Sequence, residues 1–277
     1  MQVAEHIAAL RDEGVLLATA AGQAGPDAPV PTCPGWRIRD LVRHVGSVHR
    51  WATGYVAGQH AAPVPGPTEE EMIRSGPAGD QDLLGWFLEG HQALVTALEQ
   101  ADPAMICWTF LEAPSPLAFW ARRQAHETAI HRVDAQRAAA GPAGPATPGG
   151  FAPGLAADGI DELVMGFCRR RSKRGLRSDP PCWLAVHARP GPGRRGADGG
   201  ESSGHADWVI RMGTDSAGVA RGEIPADDVP GGTGCDLTGP AEALYLLLWN
   251  RAGTGGLQMR GDARGLDVWR EQARVNW

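Results

Sequence analysis

The segment Trp120-Ala-Arg-Arg-Gln-Ala-His-Glu-Thr-Ala-Ile-His-Arg-Val-Asp134 is dense in side chains that can do chemistry. On a helix, which turns about 100° per residue, Glu127 and His131 stack one turn apart on a single face. Trp120, Gln124 and Asp134 share that face, within about 40° of their mean direction. The inward seam of a helical bundle normally carries Leu, Ile or Val at such spacing. This face carries an amide, two carboxylates and an imidazole instead. Burying unpaired charge is expensive, so the pattern demands a compensating group, and a divalent cation is the simplest one. His126 is excluded from the face, because five residues place it about 140° from His131. The pattern therefore differs from H-E-x-x-H, where two histidines four apart bind zinc and the Glu is a base. Here the stacked pair is Glu127 with His131. Both are expected as ligands, and protease activity is not expected. Asp134 reads equally as an orienting partner for His131 and as an ordinary surface carboxylate.

A Glu/His pair needs at least one more ligand. His44 and His49 lie on an earlier helical segment and His91 on a third, all within reach of a bundle seam. His44 and His49 flank the apolar stripe of their helix on opposite sides, and periodicity alone does not choose between them. Five cysteines, odd in number, scattered and without C-x-x-C, exclude a disulfide framework and a Cys-rich zinc site. Cys33, between Thr32 and Pro34 in the turn before a helix, reads as a packing residue rather than a nucleophile.

The elements that must position these groups are legible from periodicity. Residues from about Val3 to Ala20 read as a first helix. A second, from about Arg37 to Val56, carries Ile38, Leu41, Val45, Val48, Ala52 and Tyr55 three and four apart, as an antiparallel bundle requires. Thr68-Glu69-Glu70-Glu71 is a capping box, and Gly76 to Gly79 interrupts what it opens. Asp82 to Leu98 and Leu117 to Ala140 complete a four-helix set. The run from Gly141 to Gly150, rich in Pro and Gly, marks the domain boundary, giving domains 1–145 and 151–277. Beyond it, Leu155 to Arg171 reads as helix. Trp183–His187 and Trp208–Met212 read as strands joined by a Gly-rich loop from Arg189 to Gly204. Helices are expected from Ala241 to Arg251 and from about Ala263 to Val275. The fold class is α+β: a four-helix bundle followed by a smaller α+β domain.

Composition narrows the function. A net charge of -6 argues against a nucleic-acid partner. The one basic cluster, Arg169 to Arg174, reads as an exposed helix end. No apolar run reaches the roughly 18 residues needed to span a bilayer, and the N-terminus lacks the basic segment of a signal peptide. A soluble, cytoplasmic protein without a membrane partner is expected, as monomer or homodimer. Lys173 is the only lysine, beside abundant Arg, Ala, Gly and Pro, which suits a genome of high G+C content.

Val30-Pro-Thr-Cys-Pro-Gly-Trp36, then Asp40-Leu-Val-Arg-His44-Val, and Ala121 to Asp134 together resemble the mycothiol-dependent maleylpyruvate isomerase family. Leu237-Thr-Gly-Pro-Ala-Glu-Ala-Leu-Tyr-Leu-Leu-Leu-Trp-Asn-Arg251 resembles the signature of its C-terminal domain. The resemblance spans nearly the whole chain, with Arg37 standing where many relatives place a capping Thr or Ser. It implies a DinB-like four-helix bundle and a sterol-carrier-like C-terminal domain. It implies His44, Glu127 and His131 as ligands of zinc or another divalent metal. It implies mycothiol, the thiol of actinobacteria, as cosubstrate, activated as a metal-bound thiolate for attack on a small electrophile, with cis-trans isomerisation or S-transfer as outcome. Arg251 is the resulting candidate anchor for a substrate carboxylate, with Arg123 as alternative. Asp134 joins Arg251 as a catalytic candidate, and Trp120 joins Arg123 as a cofactor contact. Trp36 could also line the pocket. A metal-dependent hydrolase and a non-catalytic binding module are the competing readings.

Overall fold

The computed structural model describes residues 1–141, 150–152, 154–171, 176–189, 206–215, 217–222 and 233–273. The described residues divide between two compact units, Met1–Gly149 and Gly150–Asn276.

The first unit is helical. Four long helices, α1 (Val3–Ala24), α2 (Ile38–Gly58), α4 (Leu83–Gln100) and α5 (Pro116–Ala140), form a bundle, with a short α3 (Glu69–Arg74) against α2. α1 packs along α5 and α4, and α2 along α4 and α5. The apolar stripe of α2 is the reason: Leu41, Val42, Val45 and Ala52 are fully buried, and the first three meet Leu17, Phe87 and Val30 in one cluster. Each such Leu, Val or Phe removes enough apolar surface from water to contribute about 1.5–3 kcal/mol. The helix starts follow local chemistry. Thr68 and Glu71 exchange the two bonds of the capping box, at 3.3 and 2.7 Å. Arg37 offers no hydroxyl to α2, but Asp40 accepts the Arg37 N–H at 2.8 Å and supplies half of a box.

The second unit is α+β. α6 (Leu155–Asp161) continues through a stretch of π-helical turns, Glu162–Cys168, into α7 (Arg169–Arg171), so the helix expected there is present with widened turns. Arg169 and Arg170 are exposed at its end; residues 172–175 of the basic cluster lie outside the described residues. Strands β1 (Cys182–Ala188), β2 (Ala206–Met212), β3 (Ala217–Arg221), β4 (Thr233–Gly239) and β5 (Gln258–Gly261) form one mixed sheet, ordered β3-β2-β1-β4-β5. Only β1–β4 is parallel; the other neighbours are antiparallel. β1 and β2 are the two strands read from periodicity, whereas β3, β4 and β5 are additions. Thr-Gly-Cys-Asp-Leu-Thr-Gly in β4 carries turn-type residues, and tertiary pairing with β1 overrides them. Most of the Gly-rich loop between β1 and β2 falls outside the described residues. α8 (Ala241–Leu248) follows β4 and packs on α6, β4 and β1, and α9 (Arg264–Gln272) packs on β4 and β1. Two indole N–H groups tie the layers: Trp208 donates to Asp161 at 3.0 Å and Trp269 to the Leu248 carbonyl at 2.9 Å. Among the described residues no helix is long and apolar enough to cross a membrane.

Candidate metal centre

α5 supplies most of the site. Ser115 caps it by accepting the Ala118 N–H at 3.1 Å, and Pro116 opens the first turn, where an N–H would find no helical partner. From Arg123 through Ala135 every residue is buried. A helix wrapped on all sides is ordinarily apolar. This one carries Arg123, Gln124, His126, Glu127, His131, Arg132 and Asp134 into the interior, so most of its polar groups must be answered by neighbours. Arg132 meets Glu13 of α1 at 2.6 and 3.2 Å.

Glu127 Oε1 stands 3.3 Å from Nε2 of His44, on α2, and 3.3 Å from Nε2 of His131. One donor atom from each of the three lies within 4.8 Å of the others. Exposures of 2%, 3% and 8% keep all three out of bulk water. Asp134 accepts the Nδ1 proton of His131 at 2.9 Å. An ionised carboxylate only accepts, so Nδ1 is the donor, and a neutral His131 turns its Nε2 lone pair toward Glu127. Two acceptors then face each other across 3.3 Å. A cation between them, proton or metal, is what makes that arrangement favourable.

The ionisation of the groups follows from the same contacts, with His131 itself carrying the positive charge. Burial disfavours a charged Glu127, but hydrogen bonds from His131 and His44 and the charge of Arg123 outweigh it and hold the carboxyl well below its usual range. Burial also opposes a charged His131. Bonds to Asp134, Cys33 and Glu127 overcome it and raise the imidazole well above its usual range.

Two imidazoles and one carboxylate suit zinc or a similar divalent ion, and three ligands leave positions open for a reacting molecule. The spacing fits too. In a tetrahedron with bonds of about 2.0–2.1 Å, neighbouring ligands stand about 3.3 Å apart. His44 Nδ1 is buried without a partner, and its ring leans on Trp36 with centroids 5.0 Å apart.

The turn before α2 closes over this group. Val30 N–H donates to the Trp36 carbonyl at 2.9 Å, and Gly35 takes the left-handed backbone (φ +90°) that completes the loop. Within it, the Thr32 hydroxyl donates to Asp134 Oδ1 at 2.6 Å and the Cys33 thiol to Oδ2 at 3.4 Å. Trp36 stacks on His131 at 6.3 Å. Spacing arguments missed Thr32 and Cys33 as neighbours of the site, because they lie about a hundred residues from Asp134. The conspicuous Val30–Trp36 motif was the available signal.

The other candidates fall elsewhere. Arg123 is fully buried and donates to Glu127 Oε2 at 3.2 Å, so its charge is directed at that candidate ligand. Trp120 is a core residue: its N–H donates to the Trp108 carbonyl at 3.1 Å, and its ring packs on Tyr55 and Trp51. His49 is held by Thr128 at 2.9 Å, His91 by the Arg11 carbonyl at 3.3 Å, and His126 rests against His6. Arg251 belongs to the second unit, just after α8, where its guanidinium donates to the Trp249 carbonyl at 2.9 Å.

Fold and site together define a helical-bundle protein with a buried centre of two imidazoles and a carboxylate, joined to a mixed-sheet unit. Residues 7–136, within the helical unit, match the family described as mycothiol maleylpyruvate isomerase N-terminal domain. Two solved structures share the fold over both units. One is a histidine-to-alanine mutant of mycothiol-dependent maleylpyruvate isomerase, at TM-score 0.60 and 13% identity, covering 94% of this chain and 93% of that one. The other is the same isomerase without that mutation, at TM-score 0.59, 13% identity and the same coverage. Among curated proteins nothing matches the chain.

Proposed function

We propose that this protein is a metal-dependent enzyme that uses a low-molecular-weight thiol, mycothiol, against an electrophilic small molecule, with cis-trans isomerisation or S-transfer as the outcome. The convergence of His44 and His131 on Glu127, each at 3.3 Å and all three buried, carries the reading. The family's description supplies the thiol. When bound by these three groups, a divalent ion lowers the pKa of a thiol enough to give a thiolate at neutral pH.

The chain's own groups prepare that chemistry. Glu127 is held ionised by His131 and His44 at Oε1 and by Arg123 at Oε2. Asp134 keeps the His131 ring from rotating and its proton on Nδ1. Burial excludes competing water and strengthens each electrostatic contact. Arg123 being engaged, Arg251 is the candidate for anchoring a substrate carboxylate; Arg251→Ala should raise KM far more than it lowers kcat.

Metal per chain tests the core of the proposal. Wild type should bind one zinc, His131→Ala none, and His126→Ala one. Zinc-loaded protein should then be stabilised further by mycothiol in a thermal-shift titration. Equal metal content in wild type and His131→Ala would end the metal reading. Stabilisation by zinc but not by the thiol would favour the hydrolase or binding-module alternatives.

A further inference from the structure

The turn from Val30 to Trp36 does more than lead into α2. Three of its side chains touch the candidate centre from outside. Thr32 donates to one oxygen of Asp134, Cys33 to the other, and Asp134 Oδ2 takes the Nδ1 proton of His131. Trp36 lies against both histidine rings, tilted on His44 and stacked on His131. The turn is closed on itself by Val30–Trp36 and Cys33–Val30 backbone bonds, and anchored to the bundle by Val30, which is buried in its core. It is a hydrogen-bonded turn bearing on the candidate ligands.

We infer that this turn is a positioning device for the centre, and that Thr32 is its principal polar contact: through Asp134 it fixes the tautomer and direction of His131 and thereby sets the affinity for the ion. The inference rests on the proposed function, since it concerns the same site. The physical chain has three links. A carboxylate on a helix can swing about its two side-chain torsions. The Thr32 hydroxyl at 2.6 Å from Oδ1 removes that freedom and leaves Oδ2 aimed at Nδ1. With the Nδ1 proton held, the Nε2 lone pair has one direction, toward Glu127. Partners of this outer kind are typically worth 10–100-fold in metal affinity. The thiol of Cys33 is the longer contact on Asp134, and it also bonds to His131 itself. Thr32 and Cys33 are therefore positioning residues, acting on the ion only through Asp134 and His131.

The test separates positioning from mere packing. Zinc affinity is measured by chelator competition for full-length wild type, Thr32→Val, Thr32→Ser and Asp134→Asn, and each metal-free protein is also melted. Thr32→Val keeps the shape and removes the hydroxyl. It should bind zinc about tenfold more weakly, Asp134→Asn 10–100-fold more weakly, and Thr32→Ser close to wild type. With cobalt in place of zinc, the visible ligand-field bands of Thr32→Val should shift relative to Thr32→Ser. If Thr32→Val lowers the melting temperature but binds zinc as wild type does, the turn is only a packing element and the inference is overturned while the proposed function stands. If wild type itself binds no zinc, both are overturned.

Discussion

Glu127 offers one carboxylate to three neighbours, His44 and His131 at Oε1 and Arg123 at Oε2. The same economy recurs one turn further along α5, where Arg132 is wholly buried against Glu13. Removing one member of such a pair leaves a buried charge uncompensated. Arg132→Met is therefore expected to destabilise the protein by about 3–5 kcal/mol, and the double variant with Glu13→Met to regain most of that, as urea unfolding would show. His49 answers to pH. Burial, reinforced by His91, holds it well below the usual imidazole value of 6.5. The unfolded chain takes up a proton near 6.5 and the folded one does not, so the contribution of a neutral His49 is full above that pH and is lost as pH falls below it. The stability advantage of wild type over His49→Gln should narrow between pH 7 and pH 5 in urea melts. A constant difference would mean that His49 ionises freely in the fold.

Between elements, close approach governs. A Cβ on Gly14 of α1 would fall 2.3 Å from the His91 ring of α4. That ring is stacked on Phe87 and bonded to Arg11, so it has nowhere to retreat. Gly14→Ala should cost about 1–3 kcal/mol, read from the shift in the urea midpoint. The short strands obey the same logic in reverse. β5, four exposed residues long, has no alternation to announce it and exists because β4 offers an unpaired edge.

At the scale of the molecule, the three candidate ligands, Asp134, and the turn that contacts it all belong to the first unit, Met1–Gly149. A chain ending at Gly141 is expected to fold as a helical bundle and to bind one zinc with affinity close to that of the whole protein. Circular dichroism and metal content measure both. If Arg251 anchors the substrate, the truncated chain should show a raised KM, because that residue is then missing. A truncated bundle that folds but binds no metal would show that the second unit completes the centre.

Much of this was legible before any coordinates. Helical periodicity located α1, α2, α4 and α5 to within a few residues, since each helix buries a stripe that repeats every three to four positions. The stacking of Glu127 and His131 followed from the pitch of a helix alone. The choice of His44 over His49 and His91 did not. All three lie on buried helical faces, and only the way α2 crosses α5 decides which ring reaches Glu127 and which reaches Thr128. Likewise β3, β4 and β5 carry Gly and Asp that a local reading takes for turns, and pairing with distant partners makes them strands. The bonds from Thr32 and Cys33 to Asp134 join residues about a hundred positions apart. Spacing along a chain carries information only over the repeat of one element; contacts between elements are set by packing, and packing is known only in three dimensions.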